Sequence, residues 1–178
     1  QTDDENKILG KGGYSMVYPM LSENKANEFA VKIITIPESI VNGKNKTLFN
    51  LKKKLAENDC LVSMSLKHKN IIPAYSIYQL QDYNYAIVMQ RANGTLLGIT
   101  SQFYSNKIMN TTFTRNYYWN SINENLAKYL CDQILDGLQY LRYTGFVHFD
   151  LKPDNILLCN TTLKVSDFTL TRYFNPKE

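Results

Sequence analysis

Asp150, Lys152, Asn155 and Asp167 carry the densest chemistry of the sequence, in the segments Val147-His-Phe-Asp-Leu-Lys-Pro-Asp-Asn-Ile-Leu-Leu158 and Val165-Ser-Asp-Phe168. A carboxylate near an attacking hydroxyl, a cation near a moving phosphoryl group and oxygen ligands for magnesium are the parts that phosphoryl transfer requires. This short stretch contains all of them.

Two upstream segments add to it. Gly10-Lys-Gly12-Gly13-Tyr14-Ser15-Met-Val17 lies between two strand-like runs, and its glycines would let backbone amides approach phosphate oxygens. The strand-turn-strand setting differs from the strand-turn-helix of a dinucleotide fold. No Gly-Lys-Ser/Thr sequence follows, which excludes the Walker pattern. Ala30-Val31-Lys32-Ile33 then puts a lysine in the middle of an apolar strand. A buried ammonium needs an anionic partner, because desolvating it unpaired costs several kcal/mol. Either segment alone is unspecific, since glycine hairpins without ligands and edge-strand lysines facing water are common. Their order, loop first and lysine next, gives them weight.

The elements that must position these residues are legible as patterns. Ile8-Leu9, Met16 to Tyr18, Phe29 to Ile36, Ala74 to Leu80 and Tyr85 to Met89 carry the β-branched and aromatic residues of strands, with Gly, Asn and Pro between them. Leu48, Leu51, Leu55, Leu61 and Met64 recur at helical spacing between Lys46 and Leu66. Asn93-Gly94 marks a break, after which Thr95 to Ile99 could begin a helix. Thr100 to Asn123 has no clear period and reads as a surface insertion. Leu126, Leu130, Ile134, Leu138 and Leu141 form one apolar stripe, ended by Thr144-Gly145. Short strands are expected at Ile156 to Leu158 and Leu163 to Val165.

The bulk numbers fit one globular domain: 178 residues, 44% hydrophobic and 20% charged, enough to bury a core. The net charge of +4 is spread along the chain, and the densest basic run, Lys52 to Lys54, reads as a solvated helix face, not a nucleic-acid patch. Cys60, Cys131 and Cys159 are odd in number and form no Cys-x-x-Cys pair, which argues against a disulfide framework and a zinc site and fits a reducing compartment, cytoplasmic or nuclear. No apolar run approaches a membrane span, and the polar start from Gln1 to Lys7 is unlike a signal peptide. Asn45, Asn93, Asn110 and Asn160 head glycosylation-type triplets of the kind an Asn-rich chain produces by chance.

Taken in order, the four motif segments resemble the signature set of the eukaryotic-type protein kinases, on the serine/threonine branch because of Lys152-Pro153. The resemblance implies an α+β, bilobal fold: an antiparallel β upper lobe with one helix, and the first part of a helical lower lobe. It divides the chain into residues 1–89 of the upper lobe, a hinge at 90–94 and a partial lower lobe at 95–178. By the same resemblance, ATP and Mg²⁺ are the cofactors and a protein is the substrate. Gly10, Gly12, Gly13 and Ser15 belong to the phosphate-covering loop, with Tyr14 at its aromatic tip. Val17, Ala30 and Leu157 should sandwich adenine, Met89 looks like the gatekeeper, and Gln90, Arg91 and Ala92 like the hinge. Lys32 is similar to the lysine that holds the α- and β-phosphates, Asp150 to the catalytic base, Lys152 to the cation beside the transferred group, and Asn155 and Asp167 to the magnesium ligands.

The helix carboxylate that should pair with Lys32 has two candidates. Counting back from His68 favours Asp59, whereas helical spacing favours Glu57, with Leu61 one turn on as an apolar contact towards Phe168. The longer reach of Glu makes Glu57 the expected partner. Three positions depart from the family pattern: Ser15 stands for the third loop glycine, Phe149 for the Arg before the catalytic Asp, and Thr169 for the glycine after Asp167-Phe168. Phe149 removes the usual partner of a phosphorylated activation loop. Thr169 is expected to restrict the backbone there without touching Asp167. After Phe168 only Thr169 to Glu178 follow, so an incomplete kinase domain is expected. The departures motivate an alternative: a pseudokinase or nucleotide-dependent scaffold.

Overall fold

A computed structural model describes residues 8–22, 25–98 and 124–174. The expected insertion from Thr100 to Asn123 lies outside the described residues.

The first half folds as a five-stranded antiparallel sheet in the order β1-β2-β3-β5-β4. The strands are β1 (Gly10–Lys11), β2 (Ser15–Ser22), β3 (Lys25–Ile34), β4 (Ala74–Gln79) and β5 (Tyr85–Gln90). The first strand falls on Gly10–Lys11 and not on Ile8-Leu9, although the Leu9 amide still donates to the Val17 carbonyl at 2.8 Å. Register puts Lys32 of β3 between Val17 of β2 and Ile87 of β5.

A short helix α1 (Glu38–Val41) precedes α2 (Lys46–Ser65), whose start is capped by the Asn45 side chain accepting from the Leu48 amide at 2.9 Å. The face of α2 that packs inward carries Ala56, Asp59, Cys60 and Ser63, residues at helical spacing and mostly small. The large residues of the expected stripe do not form the core: Leu51 is half exposed and Leu61 is 66% exposed. Small side chains let the helix approach the sheet closely, and this close face turns Leu61 out to solvent.

Past β5, β6 (Gly94–Thr95) pairs with β8 (Ile156–Cys159), which pairs with β9 (Thr162–Val165). Thr95, expected in a helix, is thus a strand residue, and its hydroxyl accepts from the Gly98 amide at 3.0 Å as residues 96–98 turn helical. Helix α3 (Glu124–Tyr143) ends where Thr144-Gly145 suggested, with the Thr144 hydroxyl donating to the Tyr140 and Leu141 carbonyls at 3.0 Å and Gly145 at φ +82°. Only Gln133, Gly137 and Leu141 of α3 are fully buried. Gly137 is there for a close approach: a Cβ would meet the Asn70 carbonyl at 2.8 Å. Strands β7 (Phe146–Val147) and β10 (Arg172–Tyr173) pair around the segment from His148 to Thr171.

The segment after α2 ties the halves together. Ile72 donates to the Val165 carbonyl and Val165 to the Asn70 carbonyl, both at 2.9 Å, so the C-terminal end of α2 is anchored to β9. Ile71, Ile87, Leu141, Leu163, Val165 and Phe168 form the fully buried centre. This anchoring brings Asp59 of α2 opposite the Asp167 that follows β9.

Candidate active site

Lys32 is 8% exposed, and its ammonium donates to Asp59 Oδ2 at 2.6 Å and to Asp167 Oδ1 at 2.9 Å. Burial alone would push the ammonium's pKa down, but the charges of Asp59 and Asp167 outweigh it and push it up. Asp167 shows the mirror effect. Burial would raise its carboxyl, yet the Lys32 charge and the hydrogen bond from the Thr169 hydroxyl hold it below the usual range. The triad is therefore charged, and each charge is the reason the others tolerate burial.

Asp59 is saturated with donors. Besides Lys32, it accepts from the Phe168 amide at 3.2 Å and the Ser63 hydroxyl at 3.4 Å, and the Thr169 hydroxyl oxygen lies 3.0 Å from its Oδ2. Neighbouring Cys60 has its thiol pushed up to about 11 by burial and by the Asp59 charge, so it is an inert core thiol.

Across the cleft, the Asp150 carboxylate accepts from Lys152 at 2.7 Å and from the Asn155 amide at 3.0 Å. The Asn155 amide also donates to the Asp150 carbonyl at 2.8 Å, closing the loop on itself. Buried His148 holds that loop to the segment after β9 that carries Asp167: its Nε2 faces the Ser166 carbonyl at 2.9 Å, and Nδ1 accepts from the Asp150 amide at 3.2 Å. These two partners assign the ring proton to Nε2. Both Phe149 and Asp167 have left-handed backbones, at φ +62° and +64°, the kind of strain that persists where surrounding contacts over-determine it. Phe149 spends its side chain on solvent, at 66% exposed. Sequence reading gave His148 no role, although its place two residues before Asp150 was the available signal.

Lys32, Asp59, Asp150, Lys152, Asn155, Asp167 and Thr169 line one cleft of about 1060 Å³, which residues 9–15 and Leu157 also line. A family comparison matches residues 4–178 to the protein kinase domain. The chain belongs to the protein kinase family. Similar kinases include the serine/threonine-protein kinase ksg1 of Schizosaccharomyces pombe, 29% identical over 95% of this chain and 25% of that protein. Serine/threonine-protein kinase nrc-2 of Neurospora crassa is 28% identical over 99% of this chain and 25% of that protein. The ovarian-specific serine/threonine-protein kinase Lok of Drosophila melanogaster is 26% identical over 94% of this chain and 32% of that protein. The chain thus spans about a quarter to a third of the length of these curated relatives.

Within the kinase cleft, Gly10, Gly12, Gly13, Tyr14, Ser15, Val17, Ala30, Met89, Gln90, Ala92 and Leu157 all line the wall, together with Lys152, Asn155 and Asp167. The glycine loop is closed by Gly12 donating to the Ser15 carbonyl at 2.8 Å, and Tyr14 at its tip lies under the Lys52 ammonium, 4.1 Å from the ring centre. The Gln90 amide donates to the Pro73 carbonyl at 3.1 Å and the Asn93 amide to the Leu158 carbonyl at 2.7 Å, which ties this connecting segment at both ends.

Two expectations are corrected. The partner of Lys32 is Asp59, not Glu57. Glu57 lies on the flank of α2, where it accepts from the Tyr85 hydroxyl at 3.2 Å and pairs loosely with Lys53 at 3.8 Å. The longer reach of Glu was irrelevant because the small-residue face brings α2 close enough for an aspartate. Thr169 does touch Asp167: its hydroxyl lies 2.7 Å from Oδ1.

Among the described residues, no group of three or more His, Cys, Asp or Glu could hold a metal. A metal here would rest on oxygen donors from Asp167 and Asn155 completed by phosphates and water, a set that suits magnesium. No helix among the described residues is long and apolar enough to cross a membrane.

Proposed function

We propose that this kinase transfers the γ-phosphoryl group of magnesium-bound ATP to serine or threonine hydroxyls of protein substrates. The observation that carries the reading is the meeting, in one cleft, of the charged Lys32–Asp59–Asp167 triad with the Asp150–Lys152–Asn155 loop. The serine/threonine assignment is supported by Lys152-Pro153 and by the names of the similar kinases.

In this reading the backbone of residues 10–15 covers the phosphates, and the apolar walls Val17, Ala30 and Leu157 hold the adenine between them. Lys32 orients the α- and β-phosphates while remaining anchored by Asp59. Asp150 accepts the proton of the attacking hydroxyl, and Lys152, already 2.7 Å from that carboxylate, supplies positive charge beside the moving group. Magnesium, held by Asp167 and Asn155, would supply charge neutralisation along the phosphates. The substitutions at Ser15 and Phe149 leave every one of these groups in place. The proposal also puts the protein in a reducing compartment, cytoplasm or nucleus, supported by Cys60, Cys131 and Cys159 being free thiols.

The test is radiolabelled ATP turnover with a generic basic protein substrate, beside nucleotide affinity with and without magnesium. Transfer to serine or threonine is the expected result. Nucleotide binding without turnover on any substrate would replace this reading with the scaffold alternative.

A further inference from the structure

Thr169 stands where the family pattern has glycine, a residue with no side chain to offer. Its hydroxyl lies 2.7 Å from Asp167 Oδ1 and 3.0 Å from Asp59 Oδ2. These are the same two oxygens that Lys32 holds, at 2.9 and 2.6 Å. The four groups form a closed ring in which an ammonium bridges the two carboxylates on one side and the hydroxyl oxygen lies between them on the other. A hydroxyl has a single proton, and the shorter distance gives it to Asp167.

The backbone around Thr169 is held independently. The Asn58 amide nitrogen on α2 lies within hydrogen-bond reach of the Phe168, Thr169 and Thr171 carbonyls, at 3.1, 3.2 and 3.0 Å. The Phe168 amide donates to Asp59, and the Thr171 side chain is fully buried. Two consecutive residues of α2 thus fix the segment that carries the hydroxyl, so Thr169 cannot turn away without breaking several bonds.

We infer that Thr169 is a positioning residue that orients the Asp167 carboxylate for magnesium. With Oδ1 gripped from both sides, by Lys32 and by Thr169, the carboxylate cannot rotate about its last torsion, and the direction it presents to the cleft is fixed. When Lys32 turns part of its hydrogen-bonding capacity to a nucleotide's phosphates, the hydroxyl is the partner that stays. The inference rests on the magnesium–ATP reading above and names how this chain prepares its metal ligand.

The test compares Thr169→Val, which keeps the side-chain volume and removes the hydroxyl, with Thr169→Ser, which keeps the hydroxyl. The first readout is binding of a fluorescent ATP analogue titrated with magnesium, which needs no turnover. Thr169→Val should raise the half-saturating magnesium concentration roughly tenfold, the scale of one hydrogen bond to a charged group, with little change in metal-free nucleotide affinity. Thr169→Ser should stay within about threefold of wild type, since it retains that bond. The second readout, on nucleotide-free protein, is hydrogen exchange of the Phe168 and Thr171 amides, which should stay near wild type in both variants because Asn58 and Asp59 hold that backbone independently of the hydroxyl. A valine variant with the wild-type magnesium requirement overturns the inference while leaving the kinase reading intact. Equal impairment of both variants also overturns it, because the hydroxyl would then not be the cause. A wild type that binds no magnesium–nucleotide defeats the kinase reading first and this inference with it.

Discussion

The sharpest quantitative consequence of the structure is the inequality between two carboxylates two residues apart on α2. Asp59→Asn keeps the shape of the side chain but replaces one acceptor oxygen by a donor amide. Asp59 has a side chain only 1% exposed and receives three donors: Lys32 on Oδ2, the Phe168 amide and Ser63 on Oδ1. Whichever way the new amide turns, its nitrogen faces at least one of those donors, and Lys32 keeps full charge compensation only from Asp167. Breaking a buried pair costs about 3–5 kcal/mol, and the surviving Asp167 contact puts the expected loss near the lower end, about 3 kcal/mol. Glu57→Gln is a different case. Its side chain is 45% exposed, its Lys53 contact is 3.8 Å, and glutamine can still accept from Tyr85. The expected loss is below about 0.5 kcal/mol. Urea unfolding of both variants and wild type measures the difference, provided the slope with urea is unchanged. Affinity for magnesium–ATP should fall in the Asp59 variant and stay near normal in the Glu57 variant. A Glu57→Gln cost equal to or above that of Asp59→Asn would refute the packing argument for α2.

Asp150→Asn should leave nucleotide affinity near normal and remove most turnover, by roughly two to four orders of magnitude for a lost general base; Asp167→Asn should weaken magnesium-dependent binding as well, and paired affinity and turnover measurements separate the two. Lys32→Met removes the charge that holds the Asp167 carboxyl down. A depressed carboxyl contributes stability that is full above its unfolded pKa of about 3.9 and is lost as pH falls below it, so the stability gap between wild type and Lys32→Met should be widest near pH 7 and shrink below about pH 4, as at about pH 3. Urea midpoints at both pH values give the answer, and a gap that widens on acidification would contradict it. Gly137→Ala should destabilise the fold by roughly 1–3 kcal/mol despite alanine's better helix propensity, read as a lower Tm, because its Cβ would sit 2.8 Å from the Asn70 carbonyl and 3.2 Å from Val165 Cγ2. A neutral or stabilised variant would mean that α3 can shift off the Asn70 turn.

What the sequence determined by itself was mostly local. Strands β2 to β5, β8 and β9 followed from β-branched and aromatic runs, because a strand's composition is set by its own pleat and neighbours, whereas the short β1 and β6, each containing a glycine, did not. The end of α3 followed from Thr144-Gly145, because that stop is made within one turn of the chain. The loop chemistry of Asp150, Lys152 and Asn155 was legible for the same reason, since their mutual bonds span at most five residues.

The tertiary structure decided the contacts made across long separations. Residues two apart on a helix point about 200° away from each other, so only one of Glu57 and Asp59 can face Lys32, and the choice depends on how closely α2 packs. That distance is set by Ala56, Cys60 and Ser63 beneath the helix, and the prominent leucines that suggested the opposite face proved to be half-buried or exposed. Thr169 is the same lesson in a second place. Read along the chain it is a threonine in place of a glycine, with only a backbone consequence. Its hydroxyl gains a role because Asp59, 110 residues earlier, is brought within 3.0 Å by the anchoring of α2 to β9, and no local pattern records that meeting.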